Sequence, residues 1–248
     1  MRRFGLIGYP LSHSFSAGYF ANKFQKELIN DAVYQNFSIE SIEQFPGLLM
    51  AHNDFAGLNV TIPYKEKVIP FLDELNETAS AVGAVNTIKF IRDKGQTWLE
   101  GHNTDVHGFE TSLSPYLKNI HKKALILGTG GASKAIKYVL KKKGIAFISA
   151  SIEDLKENEI RYEDITKTMI QEYLLIINCT PLGTFPKVDA CPSIPYEYIS
   201  ENHVLYDLVY NPEETLFLKK GKEKGAETTN GLKMLHLQAE KAWAIWNS

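Results

Sequence analysis

The run from Asn59 to Lys65 holds several side chains that could take part in chemistry. Asn59 and Thr61 precede Pro63, which is expected to end a strand and to set the turn from which Lys65 projects. Lysine is a cation whose pKa shifts readily on burial, which suits proton transfer. The helix dipole disfavours a lysine at the start of the helix expected here, so helix stability does not explain its position. A solvated surface lysine is the ordinary alternative.

Two more polar side chains follow strand-like or turn-like segments. Asp105 ends the polar run 101–105, and Asn86 lies where small residues lead into a strand. The carboxylate of Asp105 could cap a helix that begins at Val106, or it could pair with a cation and orient a substrate hydroxyl. The run by itself favours the cap.

Ser14 and Ser16 follow the first predicted strand, at a turn where open α/β sheets bind ligands. Either hydroxyl could cap the helix that is expected to begin near Ser16. A cap needs only one serine, so the stretch leaves a ligand-binding role and a capping role equally open.

A glycine turn follows the apolar run 124–127. The turn reads Gly128-Thr129-Gly130-Gly131-Ala132, and helical spacing begins at Ala132. Small residues allow backbone N–H groups to approach a phosphate at the N-terminus of a helix. Strand, glycine turn, helix and strand form the first unit of a dinucleotide-binding fold, although Ser133 replaces the third glycine of the usual pattern. An ordinary strand-to-helix turn is the alternative.

The composition is that of a globular protein with no basic excess. The chain has 248 residues, 44% of them hydrophobic and 23% charged, with 27 Lys and Arg against 29 Asp and Glu. This balance argues against nucleic acid and anionic membranes as partners, and no apolar stretch reaches membrane-spanning length. Cys179 and Cys191 form neither a disulfide framework nor a metal-ligand pair, so no metal is expected. We expect a cytoplasmic protein.

Alternating short apolar runs and amphipathic stretches predict an α/β fold that positions these side chains. Strands are expected at 4–9, 33–37, 55–61, 88–91, 97–99, 124–127, 145–148, 174–177 and 204–209. Helices are expected from Ser16 through Leu28, at 41–50, at 64–75, from Val106, from Ala132 to Gly144, at 213–220 and after Gly231.

A series of short motifs runs along the chain: G-Y-P at 8–10, H-S-F-S at 13–16, N-V-T-I-P-Y-K at 59–65, G-A-V-N-T at 83–87, N-T-D at 103–105, N-C-T-P-L-G at 178–183 and G-L-K-M-L at 231–235, with Gln238 and Ala239. The series resembles the successive signatures of the shikimate dehydrogenase family. Each motif is modest by itself. Together they follow the family order over nearly the whole chain, which makes the set specific.

The resemblance implies two lobes with a cleft between them. An N-terminal α/β substrate-binding domain would comprise residues 1–103 plus 230–248, and a Rossmann-like dinucleotide-binding domain would comprise residues 104–229. The implied activity is the reversible, NADPH-dependent reduction of 3-dehydroshikimate to shikimate, a step in the biosynthesis of aromatic amino acids through chorismate. The implied partner is therefore a small-molecule substrate, with the protein acting as a monomer or a homodimer.

The resemblance also implies roles for individual residues. Lys65 and Asp105 would be catalytic, as acid/base and charge partner. Substrate-binding residues would be Ser14, Ser16, Thr61, Lys65, Asn86, Asp105, Gln238 and, more weakly, Tyr210. Cofactor-binding residues would be Gly128, Gly130, Gly131, Ala132, Ser149, Ser151, Thr180, Leu208 and Gly231.

One departure concerns the cofactor. NADP-dependent members of such families place an arginine just after the second strand of the dinucleotide unit, but residues 149–154 here read Ser-Ala-Ser-Ile-Glu-Asp. Ser149, Ser151 and Lys134 could hold a phosphate weakly. NADP is therefore expected with NAD as a possibility. The alternatives are a quinate/shikimate dehydrogenase with relaxed substrate and NAD use, and a non-catalytic dinucleotide-binding sensor.

Overall fold

A computed structural model describes residues 1–11 and 14–248 of the chain; Ser12 and His13 lie outside the described residues. The chain divides into two compact units, the first formed by Met1–Thr104 with Gln238–Ser248 and the second by Asp105–Leu237. The sequence placed the two boundaries after residue 103 and after residue 229, which is one residue and eight residues earlier, respectively.

The elements of the first unit are β1 (Arg2–Gly8), α1 (Phe15–Lys26), β2 (Ala32–Ser38), α2 (Phe45–Ala51), β3 (Phe55–Val60), β4 (Glu74–Leu75), α3 (Glu77–Val82), β5 (Thr87–Asp93) and β6 (Gln96–His102). Its six strands form one sheet with the order β2-β1-β3-β5-β6-β4. β1, β2 and β3 run parallel, whereas β5 pairs antiparallel with both β3 and β6.

Both faces of this sheet are covered by apolar side chains. Phe4 packs with Phe20, Phe24 and Trp246 in one buried cluster, whereas Ile7 belongs to a second cluster on the other face. Neighbouring side chains of a strand point to opposite faces, which explains how one strand serves both clusters.

The prediction of a helix at residues 64–75 is wrong. The segment forms turns, a 3₁₀ turn at Ile69–Phe71 and the short strand β4. Pro70 lies in the middle of the segment, where it removes a helical N–H donor and obstructs the preceding turn. Lys65 is therefore a turn residue, and an unfavourable helix dipole plays no part in its position.

The elements of the second unit are α4 (Asp105–Leu113), β7 (Lys123–Leu127), α5 (Gly131–Lys142), β8 (Ala146–Ala150), β9 (Glu159–Ile160), α6 (Lys167–Glu172), β10 (Leu175–Asn178), β11 (Val204–Asp207), α7 (Leu216–Lys222), β12 (Glu227–Thr229) and α8 (Leu232–Trp246), which continues into the first unit. Its six strands form a fully parallel sheet with the order β12-β11-β10-β7-β8-β9. The central strands β7 and β10 are almost entirely buried, as expected for a parallel sheet with helices on both faces.

A buried carboxylate ties the end of β10 to the connection between β11 and α7 in the second unit. Asp207, at the end of β11, is fully buried (0% exposed). Its Oδ1 accepts hydrogen bonds from Asn178 Nδ2 (2.9 Å) and the Val209 amide (3.0 Å), and its Oδ2 accepts one from the Thr215 hydroxyl (2.6 Å). Asn178 in turn accepts from the amide (3.0 Å) and hydroxyl (2.7 Å) of Thr180. Burial raises the pKa of Asp207 to about 6, although the three hydrogen bonds favour its charged form.

A first prediction concerns the contact between β3 and α8. A Cβ added at Gly57 would lie 2.3 Å from two indole atoms of Trp246, whose Nε1 donates to the Ile88 carbonyl at 3.0 Å. Gly57→Ala should therefore lower the free energy of unfolding by about 1–3 kcal/mol, measured by urea denaturation. Gly47→Ala is the matched control, because a Cβ at this helical position meets nothing within 4 Å. It should raise stability by about 0.5–1 kcal/mol. Equal effects of the two substitutions would contradict the packing argument.

A second prediction concerns the protonation of Asp207. With its pKa at about 6, the folded protein holds a proton between pH 4 and 6 that the unfolded chain has released. The contribution of Asp207 to the free energy of unfolding should fall as pH rises through this window and level off above it. Between pH 4 and pH 7, the free energy of unfolding of the parent protein should therefore fall by roughly 2–3 kcal/mol relative to that of Asp207→Asn. Urea titrations at each pH measure this difference.

The matched control for the charge change is Asp189→Asn, at an exposed position of the same unit. A difference between the parent and Asp207→Asn that stays constant from pH 4 to pH 7 would rule out titration of Asp207 in this window.

Candidate active site

A buried hydrogen-bond network in the first unit joins two predicted substrate-binding residues that are far apart in sequence. The Asn86 side-chain oxygen accepts hydrogen bonds from the amide (2.7 Å) and hydroxyl (3.1 Å) of Thr104. Gln238 Oε1 lies 3.3 Å from the Thr104 hydroxyl and 3.5 Å from Asn86 Nδ2. The start of β5, the end of β6 and α8 therefore present their polar side chains at one place.

The network continues toward Ser16 through the half-buried Tyr34. Tyr34 donates its hydroxyl to Asn59 Oδ1 (2.8 Å), and Asn59 Nδ2 donates to the Asn86 carbonyl (3.2 Å) and the Thr87 hydroxyl (3.2 Å). The Ser16 side chain lies beside the same phenol and opposes the rise of its pKa. Burial raises the pKa of Tyr34, so the phenol stays protonated and acts as a donor.

Ser14 occupies the N-cap position of α1, but its side chain makes no capping hydrogen bond. Its Oγ is buried, and nothing within residues 1–11 and 14–248 hydrogen-bonds it. A buried hydroxyl without a partner costs about 1–3 kcal/mol, so capping does not account for this serine. The geometry suits a hydroxyl that binds a ligand.

The predicted residues Thr61 and Lys65 flank the turn after β3. The Thr61 amide donates to the Ile7 carbonyl at 3.0 Å, which holds the end of β3 against β1. The Lys65 carbonyl accepts from the Val85 amide at 2.7 Å, so the backbone of Lys65 lies beside the residue that precedes Asn86. Lys65 is half-buried.

Asp105 is the first residue of α4 and is only 7% exposed. It begins the second unit directly after Thr104, which belongs to the network of the first unit. Its carboxylate lies in the first turn of the helix, where the helix dipole stabilises a negative charge.

In the second unit, the glycine turn between β7 and α5 has the backbone that a phosphate cradle needs. Gly128 has a φ of +95°, which favours glycine, and a Cβ there would lie 2.8 Å from Thr180 Cγ2. Added Cβ atoms at Gly130 and Gly131 would meet nothing within 4 Å. Ser133, in place of the third glycine, is buried and donates its hydroxyl to the Gly130 carbonyl at 2.7 Å. The serine therefore closes the turn instead of disrupting it.

The amides of Gly131 and Ala132 lie in the first turn of α5, at the positive end of the helix dipole, whereas the Ser133 amide donates to the Gly130 carbonyl at 2.9 Å. β7 lies between β10 and β8 in the sheet, so the strand connections change direction at β7 and β10. Open parallel sheets bind ligands at the carboxyl ends of the strands at such a point.

The remaining cofactor candidates also follow the carboxyl ends of strands. The Leu208 amide donates to the Asn178 carbonyl at 2.9 Å, and the Gly231 amide donates to the Val209 carbonyl at 3.1 Å. A Cβ at Gly231 would lie 2.1 Å from the Leu208 oxygen, so these two backbones meet closely. Tyr210 belongs to the same group of loops, and burial raises the pKa of its phenol.

The two serines near the end of β8 differ in their surroundings. Ser149 is fully buried, and its Oγ has no hydrogen-bond partner in the described part of the chain. Ser151 is 2% exposed; its Oγ accepts from the Glu153 amide (3.1 Å) and lies 3.3 Å from the Thr129 hydroxyl. Ser151 therefore shapes the turn after β8 and joins it to the glycine turn.

The sequence did not predict that Tyr34 and Asp207 belong to these networks. Tyr34 lies in a strand, where tyrosine is common, so its residue type does not indicate a role in a site. Asp207 could have been found from the sequence, because it directly follows the apolar run 204–206. A carboxylate buried at such a position needs hydrogen-bond partners, which predicts a polar network around it.

Within residues 1–11 and 14–248, no group of three or more His, Cys, Asp or Glu side chains is placed to hold a metal ion. No helix in the same residues combines the length and apolar character that crossing a membrane requires.

Comparisons with known proteins agree on one family. The family model for the shikimate dehydrogenase substrate binding domain matches residues 6–88. The shikimate dehydrogenase (NADP(+)) of Carboxydothermus hydrogenoformans is 40% identical to this chain, and the alignment covers 98% of this chain and 90% of that protein.

Solved structures extend the similarity to the whole fold. Shikimate 5-dehydrogenase from Thermus thermophilus, in complex with NADP(H) and shikimate, superposes with a TM-score of 0.83 at 31% identity, covering 99% of this chain and 93% of that one. Quinate dehydrogenase from Corynebacterium glutamicum, in complex with NAD, gives a TM-score of 0.85 at 26% identity, covering 99% of this chain and 93% of that one.

The predicted α/β fold, with a substrate-binding domain and a Rossmann-like domain, is confirmed. The resemblance carried by the ordered motifs is confirmed as well: this chain belongs to the shikimate dehydrogenase family.

Proposed function

We propose that this chain catalyses the reversible, NADPH-dependent reduction of 3-dehydroshikimate to shikimate, in the biosynthesis of aromatic amino acids through chorismate. One observation carries the proposal. Polar side chains able to bind a small polyol acid gather around Asn86 in the first unit, whereas the second unit gathers a glycine turn and backbone groups at the carboxyl ends of a parallel sheet. A dehydrogenase requires both sets.

The residues of the second unit fit a dinucleotide. The open space beside Gly130 and Gly131 and the helix dipole of α5 suit a pyrophosphate. We propose that Ala132, Ser149, Ser151, Thr180, Leu208 and Gly231 complete this site. When bound, the nicotinamide supplies the hydride chemistry, so the protein has to orient the reactants and manage one proton.

We propose that Lys65 and Asp105 manage that proton. Oxidation of an alcohol by hydride loss also requires removal of its O–H proton, and reduction of the ketone requires a proton donor. Lys65 would act as the acid/base and Asp105 as its charge partner. The half-buried state of Lys65 and the strong burial of Asp105 support this assignment.

Substrate binding is assigned to Ser14, Ser16, Thr61, Asn86 and Gln238, with Tyr210 as a weaker candidate. Hydroxyls both donate and accept hydrogen bonds, and amides carry both kinds of group, so the set matches a ligand with several hydroxyls and a carboxylate. The buried Ser14 hydroxyl, which has no partner in the described residues, supports its place in this set.

We propose that residues 1–103 plus 230–248 form the domain that binds the substrate and that residues 104–229 form the domain that binds the dinucleotide, as predicted from the sequence. We place the reaction in the cytoplasm, in a monomer or a homodimer.

A quinate/shikimate dehydrogenase that uses NAD is the second candidate. The similarity to the Corynebacterium quinate dehydrogenase favours it, as do the exposed carboxylates Glu153 and Asp154 after β8.

A third prediction is the activity itself. Initial rates, followed at the nicotinamide absorbance, should be highest with shikimate and NADP among the four pairings of shikimate or quinate with NADP or NAD. A preference for quinate and NAD would select the second candidate. No rate with any pair, together with retained dinucleotide binding, would identify a non-catalytic sensor.

A fourth prediction concerns Lys65. Lys65→Ala should lower kcat by roughly 10²- to 10⁴-fold while KM for shikimate changes little, as expected for the loss of a general acid/base. Lys67→Ala is the matched control, since Lys67 is exposed in the same turn. Unchanged turnover in Lys65→Ala would remove Lys65 from the mechanism.

A further inference from the structure

The residue that would recognise the 2′-phosphate of NADP is missing from its usual place. In dinucleotide-binding folds the end of the second strand faces the adenosine ribose, where an arginine accommodates a 2′-phosphate and a carboxylate binds a 2′-hydroxyl. Here β8 ends at Ala150, and residues 151–158 contain Lys156 but no arginine.

An arginine reaches the same turn from the neighbouring strand. β9 pairs in parallel with β8, and the Ser151 amide donates to the Ile160 carbonyl at 2.9 Å. This pairing puts Arg161 beside Ser151, although the two are ten positions apart in the sequence. Arg161 Nη1 donates to the Glu153 carbonyl at 2.6 Å, which holds the guanidinium at the turn after β8.

The turn held by Arg161 is joined to the glycine turn. Ser151 Oγ accepts from the Glu153 amide at 3.1 Å and lies 3.3 Å from the hydroxyl of Thr129, which is part of the glycine turn. The pyrophosphate of a dinucleotide lies at the glycine turn and its adenosine ribose at the end of the second strand. The contacts through Thr129, Ser151 and Glu153 therefore connect the pyrophosphate region to the guanidinium.

We infer that Arg161 recognises the 2′-phosphate of NADP in this protein, acting from β9 and not from the loop directly after β8. This inference rests on the proposed function. A guanidinium has five N–H donors in a planar fork that matches phosphate geometry, and the bond to Glu153 uses one nitrogen.

Both acidic and basic side chains lie near Arg161 in the sequence and in the sheet. The side chain of Glu159 on β9 is only 5% exposed and pairs with Lys137 at 3.3 Å, so its charge is compensated. Asp164 accepts from the Arg161 amide at 3.2 Å. The exposed carboxylates of Glu153 and Asp154 oppose a phosphate, and the guanidinium supplies the positive charge in the same turn that offsets them.

The test uses Arg161→Gln in the full-length protein, without substrate. Glutamine can still donate a hydrogen bond to the Glu153 carbonyl but carries no charge. Dissociation constants are measured for NADPH and NADH by nicotinamide fluorescence, and for 2′,5′-ADP and 5′-AMP by calorimetry. Binding of NADPH and 2′,5′-ADP should weaken roughly 10- to 100-fold, the range expected for a lost charge-assisted hydrogen bond. Binding of NADH and 5′-AMP should change less than about twofold.

Two further variants separate charge recognition from a structural role. Arg161→Lys keeps the charge and should retain part of the preference for NADPH, because a lysine binds phosphate as a point charge. Arg92→Gln is the matched control, since Arg92 also donates to backbone carbonyls, those of Asn53 (3.0 Å) and Phe55 (2.5 Å), but belongs to the first unit. It should leave all four dissociation constants unchanged.

Equal weakening of NADPH and NADH by Arg161→Gln would overturn the inference, because it would assign Arg161 a structural role in the turn. Unchanged affinity for NADPH would overturn it too, while leaving the proposed function intact. A parent protein that binds NADH but not NADPH would overturn the inference and the NADPH dependence of the proposed function, and oxidation of shikimate with NAD would then show that the dehydrogenase activity itself is retained. A parent protein that binds neither dinucleotide and does not oxidise shikimate would overturn the proposed function as well.

Discussion

The ends of parallel strands are the constraint on which both candidate sites depend. Parallel strands that share a sheet end at the same edge, so the loops that follow them must meet there. In the first unit, Ser14 and Thr61 follow β1 and β3, which are paired directly. In the second, the glycine turn and Thr180 follow β7 and β10, which are also paired directly. Side chains remote in sequence thus become neighbours through strand pairing.

Each unit then holds its loops with a buried polar group. The Asn86 side chain links the start of β5, the end of β6 and α8, and the Asp207 carboxylate links the loops after β10 and β11 to the start of α7. Such groups are tolerated in an apolar interior because their hydrogen bonds are satisfied within it. Removal of one partner leaves the others buried and unpaired, so these positions should accept few substitutions.

The turn after β8 shows how a cation can reach a site from a neighbouring strand when its usual position lacks one. The turn after β8 has serines and carboxylates but no arginine, whereas Arg161 arrives from β9 through backbone pairing. Sheet register can therefore bring a cation to a site that linear spacing would leave without one. The glycine turn shows a similar substitution, since Ser133 hydrogen-bonds the Gly130 carbonyl where the usual pattern has a third glycine.

The sequence by itself determined the alternation of strands and helices, the glycine turn and the family, because short apolar runs, glycine spacing and ordered motifs are local signals. Local pattern failed at residues 64–75, where Pro70 prevents the expected helix. Tertiary structure alone decided that Gln238 contacts Asn86 and that the Ser14 hydroxyl does not cap α1. It also decided that Asp207 is buried among several hydrogen-bond donors and that Arg161 lies beside Ser151. These are contacts between segments remote in sequence or choices among competing hydrogen bonds, and both depend on strand register and burial, which a linear pattern does not encode.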